Sequence, residues 1–361
     1  MNLPRYAEKW LAPYVKDRLR KAMGAARPKQ KRVWVAITDH YEPLGGGASV
    51  EKALGRVAKW RDKWPRIAED AARDASGQRP QYSFFYPQEE YRHDLLEGIA
   101  EMVRHGVGDV EVHLHHSDER RETFIQKVTE FCRRLTDDHG LLRQYNGRTV
   151  FGFIHGNWAL DNSLPNGAWC GLNGEIAILR DLGCYADFTM PSLPSASQGK
   201  IVNKIYWCTN NADNLPRSFD HGVEGTVGGG ERGDLLMITG PVGLRFGDRL
   251  LPRVEGGEFA GYDLATASRV HKWFDLAPSI GEDLFLKLYS HGAAERNLEP
   301  MLNGGLAELF RLVAEEAQQR GIAVHWATAW QMYQAAAALV HGRQPVSAQP
   351  DKTIGTIGAA R

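Results

Sequence analysis

The chain has 361 residues, with 44 Lys+Arg against 44 Asp+Glu, so its formal net charge is zero. At 43% hydrophobic it can bury one large core or two modest ones, and without a basic excess or stripe it does not read as a nucleic-acid binder. The four cysteines, Cys132, Cys170, Cys184 and Cys208, form no CxxC pair, which argues against a zinc ribbon or a redox motif and suits a reducing compartment.

In chain order, residues 1–32 read as a short amphipathic helical extension, with Leu3, Tyr6, Trp10, Leu11, Tyr14 and Val15 spread among basic residues. Packing on the domain is the expected role; binding at a membrane surface is the alternative. No run approaches the roughly 18 apolar residues of a membrane-spanning helix. No signal-peptide pattern opens the chain either, so a cytoplasmic location is expected.

Residues 33–342 read as one α/β domain. Short stretches rich in β-branched and aromatic residues mark strands at 33–38, 82–86, 109–115, 149–155, 186–190, 235–239, 284–289 and 321–326. Helical periodicity lies between most of them, as at 94–104 and 120–136. Gly106, Gly140, Gly183 and Gly321 each follow a helical pattern and precede a strand, where a helix-terminating glycine belongs. Strands alternating with helices predict a parallel sheet, and the count and length predict a closed (β/α)7–8 barrel. The glycine-rich stretch 210–234 lacks the ending of a phosphate loop and reads as a loop or hairpin. The polar tail 343–361 is expected to be disordered.

Polar residues gather at predicted strand ends, where parallel α/β folds place their active sites. Strand one runs into Thr38-Asp39-His40-Tyr41-Glu42, strand three into His113-Leu114-His115-His116, and strand four into His155-Gly156-Asn157-Trp158 followed by Asp161. Asp187 opens strand five, and His291-Gly292 follows strand seven. Residues i and i+2 of a strand share a side, so His113 and His115 can give two nitrogens to one metal. His116 then points away or begins the loop, and is itself a further candidate ligand. Asp39 or His40 can supply the third ligand, and zinc is the first candidate for such a set, with manganese, nickel and iron also suited. His155, Asn157, Trp158, Asp161 and Asp187 are candidates for holding substrate. Each has a plainer alternative, since a tryptophan is often core and an aspartate often caps a turn.

In this order, Thr38-Asp39-His40, His113–His116 with Ser117, a polar end to strand four, Asp187 and a late His291 resemble the polysaccharide deacetylases of the NodB-homology type. The likeness is to a divergent bacterial branch with HxHH and SHG signatures, and it spans roughly residues 33–330. It implies an irregular barrel that removes acetyl groups from N-acetylated sugars with a divalent metal. It also implies Asp39 as the base, His40 as a metal ligand, His116-Ser117 as the start of the second motif and His291 as the general acid. Where the family has its second motif-two histidine this chain has Arg120, which cannot ligate a metal. The arginine of the third motif has no counterpart near His155. The expected partner is a glycan, with peripheral contact to membrane-bound polysaccharide machinery. A degenerate barrel that only binds glycan in a synthesis complex is the alternative. So is a glycoside hydrolase, for which Glu42, Asp161 and Asp187 are the available carboxylates.

Overall fold

The computed structural model describes residues 5–23, 28–209, 215–246 and 252–346. All eight predicted strands form, most with ends shifted by one or two residues. The strands are β1 (Arg32–His40), β2 (Ser83–Pro87), β3 (Asp109–Leu114), β4 (Arg143–Tyr145), β5 (Arg148–His155), β6 (Cys184–Asp187), β7 (Ile205–Cys208), β8 (Gly222–Glu224), β9 (Leu235–Ile238), β10 (Gly243–Arg245), β11 (Arg253–Glu255), β12 (Ser279–Ile280), β13 (Asp283–Ser290) and β14 (Ala323–Trp326). The α-helices are α1 (Ala7–Ala22), α2 (Val50–Asp70), α3 (His93–Arg104), α4 (Arg121–Asp137), α5 (Glu175–Leu182), α6 (Ala267–Leu276), α7 (Glu295–Pro300), α8 (Leu306–Arg320) and α9 (Ala329–Val340). Gly106, Gly140, Gly183 and Gly321 all take positive φ where a helix gives way to the next segment.

The central sheet runs β12-β13-β1-β2-β3-β5-β6-β9-β7-β8, with β14 pairing β1 and β4 pairing β5. Seven consecutive members, β13 to β9, pair in parallel. The sheet is not wholly parallel, because β7, β8 and β12 pair antiparallel with their neighbours. The loop-or-hairpin stretch includes the second strand of the β7–β8 hairpin, and residues 210–214 within it lie outside the described residues.

Alternation along the strands sends side chains to two cores. Val33, Val35 and Ile37 of β1, Val110 and Val112 of β3, and Phe151 and Phe153 of β5 join the larger core under the helices. Trp34, Ala36, Phe85, Ile154 and Phe285 point to the opposite, inner face, where α9 contributes Trp330, Met332 and Leu339. The N-terminal helix packs on the domain: Trp10 and Tyr14 are buried against Leu193, Val202, Val242 and Leu276. Arg32, the last residue of the predicted extension, already belongs to β1. Of the predicted tail, residues 343–346 have no regular structure and 347–361 lie outside the described residues. Among the described residues no helix is long and apolar enough to cross a membrane.

Candidate metal centres

His40 is the last residue of β1 and His113 the fifth of β3, and both share the inner face with Trp34, Ala36 and Glu111. With Glu42, just past β1, they bring one donor atom each to within 4.8 Å of one another. The Nδ1–H of His113 is given to the Ile154 carbonyl at 2.8 Å, which leaves Nε2 facing Glu42 Oε1 at 3.2 Å. A backbone partner on one imidazole nitrogen is the usual way to aim the other at a metal. His115 lies beside them, its Nε2 3.7 Å from Glu42 Oε1 and its Nδ1 bonded to Glu89. His291 stacks on His40 with ring centroids 4.7 Å apart, and Trp158 closes the group at 6.1 Å from each of these two rings. The His115 side chain is 30% exposed and that of Glu42 24%, so the cluster opens to solvent.

The electrostatics follow from this crowding. Burial raises the Glu42 carboxyl, but His113, His291 and His115 outweigh it and bring it down to about 2. Burial pushes His40 well below the ordinary imidazole range, and the neighbouring histidines push it further. His291 is lowered chiefly by burial. For His115 burial acts downward, and Glu89 and Glu42 outweigh it and raise the imidazole.

Asp39 does not join this cluster. As the neighbour of His40 it points to the helix side, where it accepts from Tyr82 Oη at 2.9 Å and from the Gly292 N–H at 2.7 Å. Burial raises its pKa to about 7 against these two hydrogen bonds. Gly292 is glycine because of this approach: a Cβ there would lie 2.5 Å from both Asp39 Oδ2 and Trp60 Cζ2. The close approach is to Asp39 and Trp60, at a position where only a residue without a Cβ fits. Asp39 therefore anchors the turn that carries His291.

A second cluster sits on the helix side of the sheet. His116 beyond β3, His155 at the end of β5, Cys170 in the following loop and Glu175 at the start of α5 bring their donor atoms to within 4.8 Å. This group can hold a metal ion. The side chains of His116, His155 and Glu175 are fully buried. His116 Nε2 lies 3.0 Å and His155 Nε2 3.5 Å from Glu175 Oε1. Burial raises Glu175, and His155 and His116 outweigh it and keep the carboxyl below its ordinary range. Burial brings His155 down to about 4. A third donor group, His93, Glu97 and His139, lies nearer the surface.

The loop from Asn157 to Asn162 joins the two clusters. Asn157, Trp158, Asp161 and Asn162 all take φ between 52° and 55°. That conformation is a genuine outlier for a bulky residue such as Trp158, and strain of this kind gathers at functional sites. Of the residues expected to hold substrate, Trp158 lines the open cluster, Asn157 is exposed and His155 belongs to the buried one. Asp161 is buried, accepting from Ser218 and from the Glu175 N–H. Asp187 ends β6 rather than opening a strand. Its carboxylate accepts from Thr189 N and Oγ1, and Thr189 Oγ1 in turn accepts from His155 N at 2.9 Å. Asp187 thus positions His155 through Thr189.

Among the expected ligands, His40 and His113 meet at the open cluster, with His115 beside them, while His116 lies in the buried one. Glu42, from sequence a candidate glycosidase carboxylate, is linked to His40 by the same i, i+2 spacing and joins it in the open cluster. Cys170 and Glu175 carry no spacing signal toward His116, which they follow by 54 and 59 residues. No protein-family model matches the chain, and no curated relative matches it either.

Proposed function

We propose that the protein is a metal-dependent hydrolase that removes the acetyl group from an N-acetylated sugar of a bacterial glycan, working at the His40–Glu42–His113 cluster. One observation carries this reading. Two imidazoles and a carboxylate from the carboxyl ends of parallel strands converge at a solvent-open point, next to a buried His291 Nδ1 that has no hydrogen-bond partner. Two nitrogens and one oxygen suit zinc and leave a coordination position open, as hydrolytic sites require. The order of Asp39-His40, His113–His116 and His291 along the chain, which resembles the polysaccharide deacetylases, supplies the substrate class.

Bound there, a divalent cation supplies Lewis acidity toward water and the acetyl carbonyl. The chain's own groups do the rest. His40, Glu42 and His113 hold the ion, with His113 aimed by its bond to the Ile154 carbonyl. His291 Nδ1, which has no hydrogen-bond partner, takes a proton from the attacking water and hands it to the departing sugar nitrogen, so the proton lost by water is the one the amine gains. Asp39 keeps His291 in place through the Gly292 N–H and is a positioning residue. Trp158 offers a flat ring to a sugar face. We take the sheet as an irregular barrel. Its closure is supported by Lys287 Nζ of β13, which donates at 2.6 Å to the carbonyls of both Phe188 and Met190 beyond β6.

The test incubates the full chain with zinc and N-acetylglucosamine oligomers and measures acetate. The wild type releases acetate. His113→Ala and His40→Ala lose about 10²-fold or more, because even groups supporting a metal ligand are worth up to that. Their melting temperatures stay near that of the wild type. If no N-acetylated oligomer yields acetate while the open cluster is saturated with zinc, hydrolysis is overturned in favour of glycan binding.

A further inference from the structure

We propose that His116, His155, Cys170 and Glu175 form a second metal site, a closed, structural zinc centre on the opposite face of the sheet from the hydrolytic cluster. Four protein donors with no solvent-facing member are what distinguishes a structural zinc site from a catalytic one. All four residues are buried and bring their donor atoms within 4.8 Å of one another.

Hydrogen bonding outside the cluster points each donor inward. His116 Nδ1 donates to the Cys170 carbonyl at 3.3 Å, and His155 Nδ1 donates to the Gly156 carbonyl at 2.5 Å. In a neutral imidazole each Nε2 then carries a lone pair. Both nitrogens meet one carboxylate oxygen of Glu175: His116 Nε2 at 3.0 Å, where one proton can bridge the pair, and His155 Nε2 at 3.5 Å, where none does. His155 Nε2 is buried and has no hydrogen-bond partner. A buried nitrogen left unsatisfied is costly, and a cation between these groups removes that cost. Cys170 Sγ accepts from two backbone N–H groups, Asn162 at 3.2 Å and Leu172 at 3.4 Å. Such donors stabilise a thiolate ligand. Glu175 Oε2 accepts from the Asp161 N–H at 2.7 Å, leaving Oε1 for the metal.

Charge balance selects the ion. A buried cluster is stable only if its charges cancel. Two neutral imidazoles, one thiolate and one carboxylate sum to two negative charges, which a divalent cation neutralises. On binding, the Cys170 S–H bond breaks and its proton leaves to solvent as the sulfur–metal bond forms; no electron is transferred. Sulfur with two imidazole nitrogens favours zinc over magnesium or calcium. The centre ties the ends of β3 and β5 to the start of α5 and so holds the strained Asn157–Asn162 loop that carries Trp158.

The test uses the full chain purified from zinc-supplemented medium without chelator, then exchanged into cobalt(II). With both clusters filled, about two ions per chain are expected. A near-ultraviolet thiolate-to-cobalt charge-transfer band should appear, since only Cys170 among the four cysteines belongs to a donor cluster of the described residues. The band should persist in Cys132→Ser, Cys184→Ser, Cys208→Ser and His113→Ala, and vanish in Cys170→Ser. If Cys170→Ser does not fold, a band that survives the other three serine variants still assigns the thiolate. Cobalt bound to saturation without the band overturns the proposal and leaves the four residues as a proton-linked hydrogen-bond network. A band that survives His113→Ala while acetate release is lost, or was never present, separates the fate of this site from that of the hydrolytic one.

Discussion

The two histidine clusters use the same side chains in opposite ways. His113 and His115 extend along the inner face toward Glu42 and solvent, whereas His116, the very next residue, turns to the helix side and meets His155 and Glu175. The open cluster has its carboxylate partly exposed, with the partly exposed imidazole of His115 beside it. The buried cluster has no exposed side chain among His116, His155 and Glu175. An open coordination position with access to solvent suits chemistry on a substrate; a dry, fully surrounded one suits holding the fold. Residue type alone therefore assigns neither role; exposure does.

The strongest way to break this contrast is to remove one carboxylate from each cluster. Glu175→Ala strips a buried, hydrogen-bonded charge from two imidazoles and should cost about 3–5 kcal/mol in urea unfolding. Glu42→Gln should cost less than Glu175→Ala, because the Glu42 side chain is 24% exposed and water screens its partners, and should abolish acetate release. Equal unfolding midpoints for Glu175→Ala and the wild type would show that the buried cluster holds nothing together.

A pH series probes the support behind His155. Burial raises the Asp187 carboxyl to about 7 in spite of its two bonds from Thr189. In the unfolded chain the group titrates near about 3.9. As pH rises from about 4 to about 7 the unfolded state releases this proton while the folded state keeps it, so stability falls, with a slope of at most about 1.4 kcal/mol per pH unit. Asp187→Asn lacks this loss. The stability of the wild type minus that of the variant should therefore decline across that window, and a flat difference would mean that Asp187 ionises as an ordinary carboxylate.

Gly156 lies between the clusters, and a Cβ there would strike the His115 ring and lie 2.8 Å from the His115 Cα. Gly156→Ala should cost about 1–3 kcal/mol through overpacking and lower acetate release as well, because it displaces the strand end shared by both sites. Stability lost without any change in turnover would show that the open cluster tolerates movement of this loop. The smallest effect is a control outside the donor clusters. Thr328 caps α9, accepting from the Gln331 N–H, with Gln331 bonding back to the Thr328 N–H. Thr328→Ala should cost about 1 kcal/mol and leave acetate release unchanged, since neither Thr328 nor Gln331 belongs to a donor cluster.

Much of the architecture is legible in the sequence because it depends on local periodicity. The eight strands from Val33 to Trp326, helices α3 and α4, and the glycines that end helices each carry their own signal. The antiparallel additions β7, β8 and β12 do not, being two to four residues long and set by which edge they meet. The His113-x-His115 spacing marks a site for the same reason that strands are legible: alternation is local. That rule also separates Asp39 from His40: the Asp39 carboxylate faces the helix side and accepts from the Gly292 N–H.

By itself the sequence determined that this is an α/β chain with ionisable residues at the carboxyl ends of its strands, because period and strand-end position are properties of short segments. Only the tertiary structure decided which of those residues meet. Cys170 and Glu175 reach His116 and His155 across a loop whose strained backbone no periodicity predicts. The partner of a side chain is fixed by packing between distant segments, and so is its exposure, which separates an open centre from a buried one.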